Sequence, residues 1–291
     1  MRQLLLTIAA FLSLPFSALS ETVNLGSRSY EIELPAVARG APMILALHGG
    51  GGNPDQFASA SGFARDALRE GYAVIFPAGS VRFGGKKLLT WNGGYCCGYA
   101  ARAGVDDIGF LEAVIKDAQD RFGVDGGRVY LTGMSNGSIM VETFAARNPG
   151  LVRAVAGVAG TMDTGRVKVQ GRVPLLVIHG TADENVRYEG GVGDLSVART
   201  DFASVASVVR AFLAPWGGGV SQSTRRIDRR DDGTSAIVID HKKGGTVVLR
   251  LMTVEGGAHH WPGGRKARQK GGKTEEIDAN TEILRFFALH P

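Results

Sequence analysis

Val129-Tyr130-Leu131-Thr132-Gly133-Met134-Ser135-Asn136-Gly137 joins an apolar, strand-like run to a stretch with helical periodicity that continues through Phe144. Two glycines bracket Ser135 in the pattern G-x-S-x-G, so the serine falls on a sharp strand-to-helix turn. A Cβ at either glycine would crowd that turn, and the helix start behind Ser135 aims backbone N–H groups and its positive dipole end at the serine. A plain turn serine is the simpler alternative for five such letters. The strand before and the helix after point instead to a nucleophile.

Working outward, short apolar runs alternate with amphipathic stretches, the pattern of a parallel sheet with crossover helices on both faces. Strands are expected at Tyr30–Leu34, Met43–His48, Ala73–Pro77, Arg128–Thr132, Arg153–Val158, Pro174–His179 and Thr246–Met252. Helices are expected at Asp55–Arg69, Asp107–Arg121, Gly137–Arg147, Phe202–Leu213 and Thr281–Ala288. No linker or repeat interrupts the chain, which reads as a single α/β domain over residues 21–291. Its one long irregular stretch, Ser80 to Val105, is glycine-rich and holds Trp91, Cys96 and Cys97; long loops in compact domains are often functional.

A serine hydroxyl is a weak nucleophile near neutral pH and needs a general base, which in turn needs an acid to hold its tautomer. With a nucleophile on such a turn, the partners follow in the order serine, acid, histidine. Asp183, in His179-Gly180-Thr181-Ala182-Asp183-Glu184 after the strand ending near His179, fits the acid, with Glu184 as the backup and a turn-forming Asp as the plainer reading. For the base, His259 and His260 lie in Gly256-Gly257-Ala258-His259-His260-Trp261-Pro262, after the last expected strand and before the last helix. Spacing does not choose between them.

An oxyanion also needs donors: the N–H of Asn136, and one from the loop after an early strand, where His48-Gly49-Gly50-Gly51-Gly52-Asn53 offers Gly50 first and Gly51 second. The rival reading, phosphate binding, lacks a helix opening with the required lysine, and at Gly272-Lys273-Thr274 Ala267 stands where the first glycine should be.

Glycine fills 42 of 291 positions, about twice the usual ~7%, which implies many tight turns. Hydrophobic residues at 44% and charged residues at 21% exclude a disordered, collagen-like or coiled-coil chain. The net charge of +5 is too small and scattered for a nucleic-acid footprint. Arg225, Arg226, Arg229 and Arg230 are interrupted by Asp228, Asp231 and Asp232 as on a solvated face, and Arg265, Lys266, Arg268, Lys270 and Lys273 read as an exposed loop, with long-range steering of an anionic substrate as the alternative. Arg2, the apolar run Leu4–Phe16 and Ala18-Leu19-Ser20 form a signal-peptide pattern, so export with cleavage after Ser20 is expected. No segment qualifies as a membrane span. Cys96 and Cys97 could close a vicinal disulfide, remain free thiols or pair between molecules, and alone they cannot build a zinc site.

Taken in order, Leu47-His48-Gly49-Gly50-Gly51-Gly52-Asn53, Trp91-Asn92-Gly93-Gly94-Tyr95-Cys96-Cys97-Gly98, Val105-Asp106-Asp107, Gly133–Gly137 and His259-His260-Trp261-Pro262-Gly263 resemble the secreted polyhydroxybutyrate depolymerase and feruloyl esterase group, which is similar to carbohydrate esterase family 1. The resemblance spans nearly all of the chain after the leader. It implies an α/β-hydrolase fold and a serine carboxylesterase acting on hydroxyalkanoate, hydroxycinnamoyl or acetyl-sugar esters without metal or organic cofactor. It selects His259 as base, two residues before Trp-Pro, and makes His260 a neighbour lining the substrate site. Trp91 and Trp261 are candidates to stack on an aromatic or sugar ring near the site, with packed core tryptophans as the equal alternative. It also implies a structural role for Cys96 and Cys97 beside the active site, and makes Asp106 and Asp107 loop-ordering or helix-capping carboxylates. Where many relatives read Asn-Gly-Cys, this chain has Pro215-Trp216-Gly217-Gly218-Gly219, so a second disulfide there is not expected. With no Thr/Ser-rich linker or polymer-gripping domain in view, soluble oligomers or plant-wall esters fit better than crystalline polyester. A serine peptidase on the same fold and a non-catalytic binding module are the alternatives.

Overall fold

The computed structural model describes residues 19–83, 85, 87–265 and 271–291. The leader reading covers residues 1–20; all of it but Leu19 and Ser20 lies outside the described residues, as do Lys266, Arg268 and Lys270.

A ten-stranded sheet carries the chain. In chain order its strands are β1 (Leu19–Leu25), β2 (Arg28–Leu34), β3 (Pro42–Leu47), β4 (Ala73–Pro77), β5 (Asp125–Met134), β6 (Ala154–Val158), β7 (Leu175–Gly180), β8 (Ser221–Ile227), β9 (Ser235–Lys243) and β10 (Thr246–Glu255). They lie in the order β1-β2-β4-β3-β5-β6-β7-β10-β9-β8. From β4 to β10 neighbouring strands are parallel, and antiparallel strands flank that centre at both ends. This is the α/β-hydrolase arrangement, a single domain with a mostly parallel sheet.

The helices are α1 (Pro54–Ser61), α2 (Phe63–Arg69), α3 (Gly98–Arg102), α4 (Asp107–Phe122), α5 (Asn136–Arg147), α6 (Val205–Leu213) and α7 (Ala279–Phe287). Strand pleating assigns them to faces. Met43, Leu45 and Leu47 of β3 pack with α4, α5 and α6 in one core, whereas Ile44 and Ala46 pack with α1, α2 and α7 in the other. A strand buried on both sides has no polar alternation, which is why β3, β4, β6 and β7 read as continuous apolar runs.

The expected elements omit β1, α3, β8 and β9 and run α1 into α2. The helix expected over Asp55–Arg69 is broken at Gly62, whose left-handed φ of 62° caps α1 through its N–H to Ala58 O before α2 begins. Strand β8 has no buried residue to mark it; it is an edge strand whose Arg226 pairs with Asp228 and Glu255, and such charge protects an open edge from further pairing. Strand β1 starts at Leu19 and aligns Leu19 with Leu34 and Ser20 with Glu33, so it overlaps the expected end of the leader.

Helix α5 is buried from Asn136 to Ala146, and its entry is as tight as the two-glycine pattern requires. A Cβ on Gly133 would stand 2.6 Å from the Gly137 carbonyl, and one on Gly137 would overlap the Leu47 carbonyl of β3. All of these are backbone atoms, so no side chain can yield. Gly137→Ala is therefore expected to cost about 1–3 kcal/mol; a lowered urea midpoint at unchanged m-value is the readout, and an unchanged midpoint refutes the packing argument.

Candidate active site

Each parallel strand delivers its loop to the carboxyl edge of the sheet, where open α/β sheets bind ligands. Ser135 follows β5, Asp183 follows β7 and His259 follows β10 on this edge. The intervening β6 locks the serine turn in place: Ser135 N–H donates to Val158 O at 2.8 Å, and Ala159 N–H donates to Ile178 O of β7 at 2.9 Å. Ser135 itself has φ 56° and ψ −120°, a conformation that costs a residue with a Cβ about 1–3 kcal/mol and persists only where its surroundings enforce it. Gly160 sits against the Ser135 carbonyl, where a Cβ would come within 2.5 Å, and a Cβ on Gly49 would stand 3.5 Å from the serine Cβ.

Asp183 and His259 are 3% and 2% exposed. The carboxylate accepts three hydrogen bonds and has a second histidine close by. Oδ1 accepts the N–H groups of Asn185 and Val186 at 2.9 Å each, and Oδ2 accepts from His259 Nδ1 at 2.7 Å and lies 3.4 Å from His179 Nε2. Burial pushes the Asp183 pKa up, but the hydrogen bonds from His179 and His259 outweigh it and hold the group well below the ordinary carboxylate range. With Asp183 ionised, His259 donates through Nδ1 and keeps the Nε2 lone pair, the tautomer a general base needs. The acid and histidine loops touch through backbone: Ala182 N–H donates to Gly257 O at 2.9 Å, and a Cβ on Gly180 would overlap that carbonyl.

His179, also buried, donates to Val186 O at 2.8 Å and braces the same aspartate turn. The sequence reading passed over it as a strand end. Its position four residues before Asp183 was the available signal.

The glycine loop after β3 is held by His48, which accepts Gly79 N–H on Nε2 at 3.1 Å and donates through Nδ1 to Gly49 O at 2.9 Å. Burial lowers its pKa to about 4, so it stays a neutral strut. Gly50 approaches Asn136, with a Cβ there 3.4 Å from the Asn136 Cβ. Gly51, the second choice as oxyanion donor, instead spends its N–H on Leu89 O at 2.8 Å.

A family model described as "Esterase PHB depolymerase" matches residues 28–189, more than half of the chain. The chain belongs to this family. It is an α/β-hydrolase and a hydrolase of carboxylic ester bonds. "Putative esterase NocK" of Nocardia uniformis subsp. tsuyamanensis is 29% identical over 79% of this chain and 68% of its own length. "Feruloyl esterase B" of Piromyces equi is 28% identical over 76% of this chain, which spans 40% of that relative's length. Among solved structures, acetyl xylan esterase from Aspergillus awamori superposes with a TM-score of 0.63 at 14% identity, covering 93% of this chain and 99% of that one, a likeness of fold.

Three candidates for lining this esterase's substrate site are placed elsewhere. Trp91 is 0% exposed: its Nε1 donates to His48 O at 3.0 Å, its N–H donates to Asn136 Oδ1 at 2.7 Å, and its carbonyl accepts from Asn136 Nδ2 at 3.0 Å. Its ring braces the serine turn and leaves no face for a ligand. Trp261, 4% exposed, meets Phe57 and Phe63 edge-on and donates to Asn280 Oδ1 at 2.9 Å. His260 is buried, with Nε2 2.8 Å from Gly271 O, and serves the closure of its own loop.

The Trp91 loop is anchored in depth. Asp106 caps α4 by accepting Gly109 N–H at 2.9 Å, and Asp107 accepts Asn92 N–H at 2.7 Å and pairs with Arg28 at 2.6 Å. Cys96 and Cys97 are bonded to each other across a cis peptide and pack against Ile139 of α5 and Val186 of the acid turn.

Behind the serine lies a carboxyl that no motif announced. Glu142 on α5 is fully buried; Oε2 accepts Met162 N–H at 2.8 Å, and Oε1 is 3.3 Å from Ser138 Oγ. Burial outweighs these hydrogen bonds and pushes its pKa up to about 8. A pKa raised on folding contributes stability that is full below the unfolded value near 4.5 and lost as pH rises through about 8. Measured as melting temperature from pH 5 to 9, the wild type should therefore lose ground to Glu142→Gln by several degrees. A difference that does not change with pH contradicts the buried, protonated state.

Proposed function

We propose that this chain is an exported serine esterase acting on hydroxycinnamoyl or acetyl esters of polysaccharides, or on hydroxyalkanoate oligomers, with Ser135, His259 and Asp183 as its triad. The 2.7 Å bond between His259 Nδ1 and Asp183 Oδ2 carries the reading, because it leaves the imidazole in the tautomer that accepts a proton at Nε2. Ser135 Oγ adds to the ester carbonyl as its proton passes to His259 Nε2. The resulting oxyanion takes hydrogen bonds from the N–H of Asn136, in the first turn of α5 where helical N–H groups lack intrahelical partners, and from the N–H of Gly50. Collapse returns the proton to the departing alcohol oxygen. Water, deprotonated by the same imidazole, then adds to the acyl-serine, and its collapse frees the acid and restores Ser135.

Names of relatives support the substrate range: feruloyl esterase B in Piromyces equi and a bifunctional acetylxylan esterase/xylanase in Neocallimastix patriciarum. This chain spans 23% of the latter's length. Export rests on the leader pattern of residues 1–20, and no helix among the described residues is long and apolar enough to cross a membrane. The test is the initial rate of purified protein on methyl ferulate, acetylated xylan, a hydroxybutyrate oligomer and a nitrophenyl ester, each beside the Ser135→Ala variant. Turnover of any of the first three that vanishes in the variant assigns the substrate class. Faster cleavage of a matched amide than of its ester would make the chain a peptidase, and inactivity on every ester would overturn the proposal.

A further inference from the structure

A cleft of about 670 Å3 opens between three segments, and its charged and aromatic lining is Tyr95, Arg102, Asp163, Arg166, Arg199 and Asp201. Each segment belongs to the carboxyl edge that holds the triad. Tyr95 and Arg102 come from the loop tied to Asn136 through Trp91. Asp163 and Arg166 follow β6 just beyond Gly160, which packs on the Ser135 carbonyl. Arg199 and Asp201 lie on the loop that leaves the Asp183 turn. Tyr95 fastens all three together: its hydroxyl donates to Thr161 O at 2.6 Å and accepts Ala203 N–H at 3.3 Å, and its ring meets Phe202 edge-on.

The charges of this cleft are unevenly committed. Asp163 is buried: Oδ1 accepts the N–H groups of Gly165 and Arg166, while Oδ2 has no hydrogen-bond partner among the described residues and lies 3.7 Å from Arg166 Nε, its nearest cation. Arg102 and Arg199 are exposed, and among the described residues neither has an ion pair. Among the charged residues lining the cleft, Asp201 opposes them, and Asp163 is offset by Arg166 beside it. Arg199 is also held at φ 49°, a left-handed conformation that disfavours any residue with a Cβ. The same loop carries the apolar side chains Leu195 and Val197, the latter 99% exposed.

We infer that this cleft is an anionic subsite: Arg102 and Arg199, with Arg166 beside them, bind a carboxylate on the part of the substrate remote from the scissile ester, while the apolar residues flank the intervening chain. Paired guanidinium donors match a carboxylate in shape as well as charge. This rests on the esterase reading above and narrows it to esters bearing an acid. Such a carboxylate has two sources, the free end of an oligoester and a uronic acid on a polysaccharide.

The experiment compares kcat/KM on a hydroxybutyrate trimer with its methyl ester, and on acetylated glucuronoxylan with acetylated xylan free of uronic acid, at low salt and in 0.5 M NaCl. The wild type should prefer the acid member of one pair by about tenfold, chiefly through KM, because a charge-assisted hydrogen bond contributes on that scale. Salt should reduce the preference. The double variant Arg102→Gln/Arg199→Gln should bring the ratio near one, while Arg39→Gln, a charge removed at the opposite edge, keeps it. Which pair responds identifies the source. No preference in either pair, or a preference that survives the double variant, overturns the subsite even if nitrophenyl ester turnover upholds the esterase. Calorimetric binding of the trimer and its methyl ester to Ser135→Ala reads the cleft without turnover, and equal affinities there overturn it as well.

Discussion

Ser135→Ala lowers kcat on a nitrophenyl ester by about four to six orders of magnitude while the protein stays folded. On the proposed mechanism the size of the loss follows from covalent catalysis: without Oγ there is no acyl-enzyme, and the N–H groups proposed for the oxyanion, those of Asn136 and Gly50, are left to assist unactivated water. Stability should hold because alanine keeps the Cβ that the φ of 56° already accommodates. Ser135→Gly supplies a sharper comparison. It removes the same nucleophile and also the Cβ that makes this conformation unfavourable, so it should be equally inactive and about 1 kcal/mol more stable. Rates of both variants beside their urea midpoints make the check. Residual activity above about 1% in either assigns the chemistry to another group.

Asp183→Asn is expected to cost about 10⁴ in kcat. The carboxylate accepts from Asn185 and Val186 on one oxygen and faces His259 and His179 with the other. An amide has one oxygen and one NH2 group, so either the backbone donors or the histidines must confront a donor. If the NH2 faces His259, the ring turns to its other tautomer and Nε2 carries the proton it should accept. The pH dependence of stability should change as well. A carboxylate whose pKa is depressed on folding contributes stability that is present above its unfolded value, near 3.9, and lost as pH falls through the folded value. Between pH 5 and pH 2 the wild type should therefore lose stability that the variant does not, beyond what its other carboxylates lose. Full activity in Asp183→Asn would remove the residue from the triad, and equal acid sensitivity would remove its ionised, hydrogen-bonded state.

How much could be read in advance depended on the range of the interactions. The strand–Ser135–helix turn and the Asp183 turn are each defined by neighbours within a few residues, and both stand where local spacing placed them. Trp91 stayed open between ligand and core because an aromatic beside a motif can face either, and what decides is its bonding to His48 and Asn136, 43 and 45 residues away. The ranking of Gly50 before Gly51 came from the sequence, but its reason did not: Leu89 claims the Gly51 N–H from across the loop. Strand β8 escaped notice because its residues are exposed and only its pairing with β9 makes it a strand.

The loop bearing Arg199 leaves and rejoins the body through a two-way backbone bridge between Gly191 and Phe202. Its first part is pinned, with Leu195 N–H donating to Glu184 O and Gly193 too close to Glu184 and Asn185 to carry a side chain. Residues 197–200 are tied far less. Lengthening such a segment adds little closure entropy, since each doubling of loop length costs only about 0.6 kcal/mol. A library of insertions confined to these few positions could therefore remodel what the enzyme recognises while its proton-transfer machinery stays in register, making this loop the natural place to graft new selectivity.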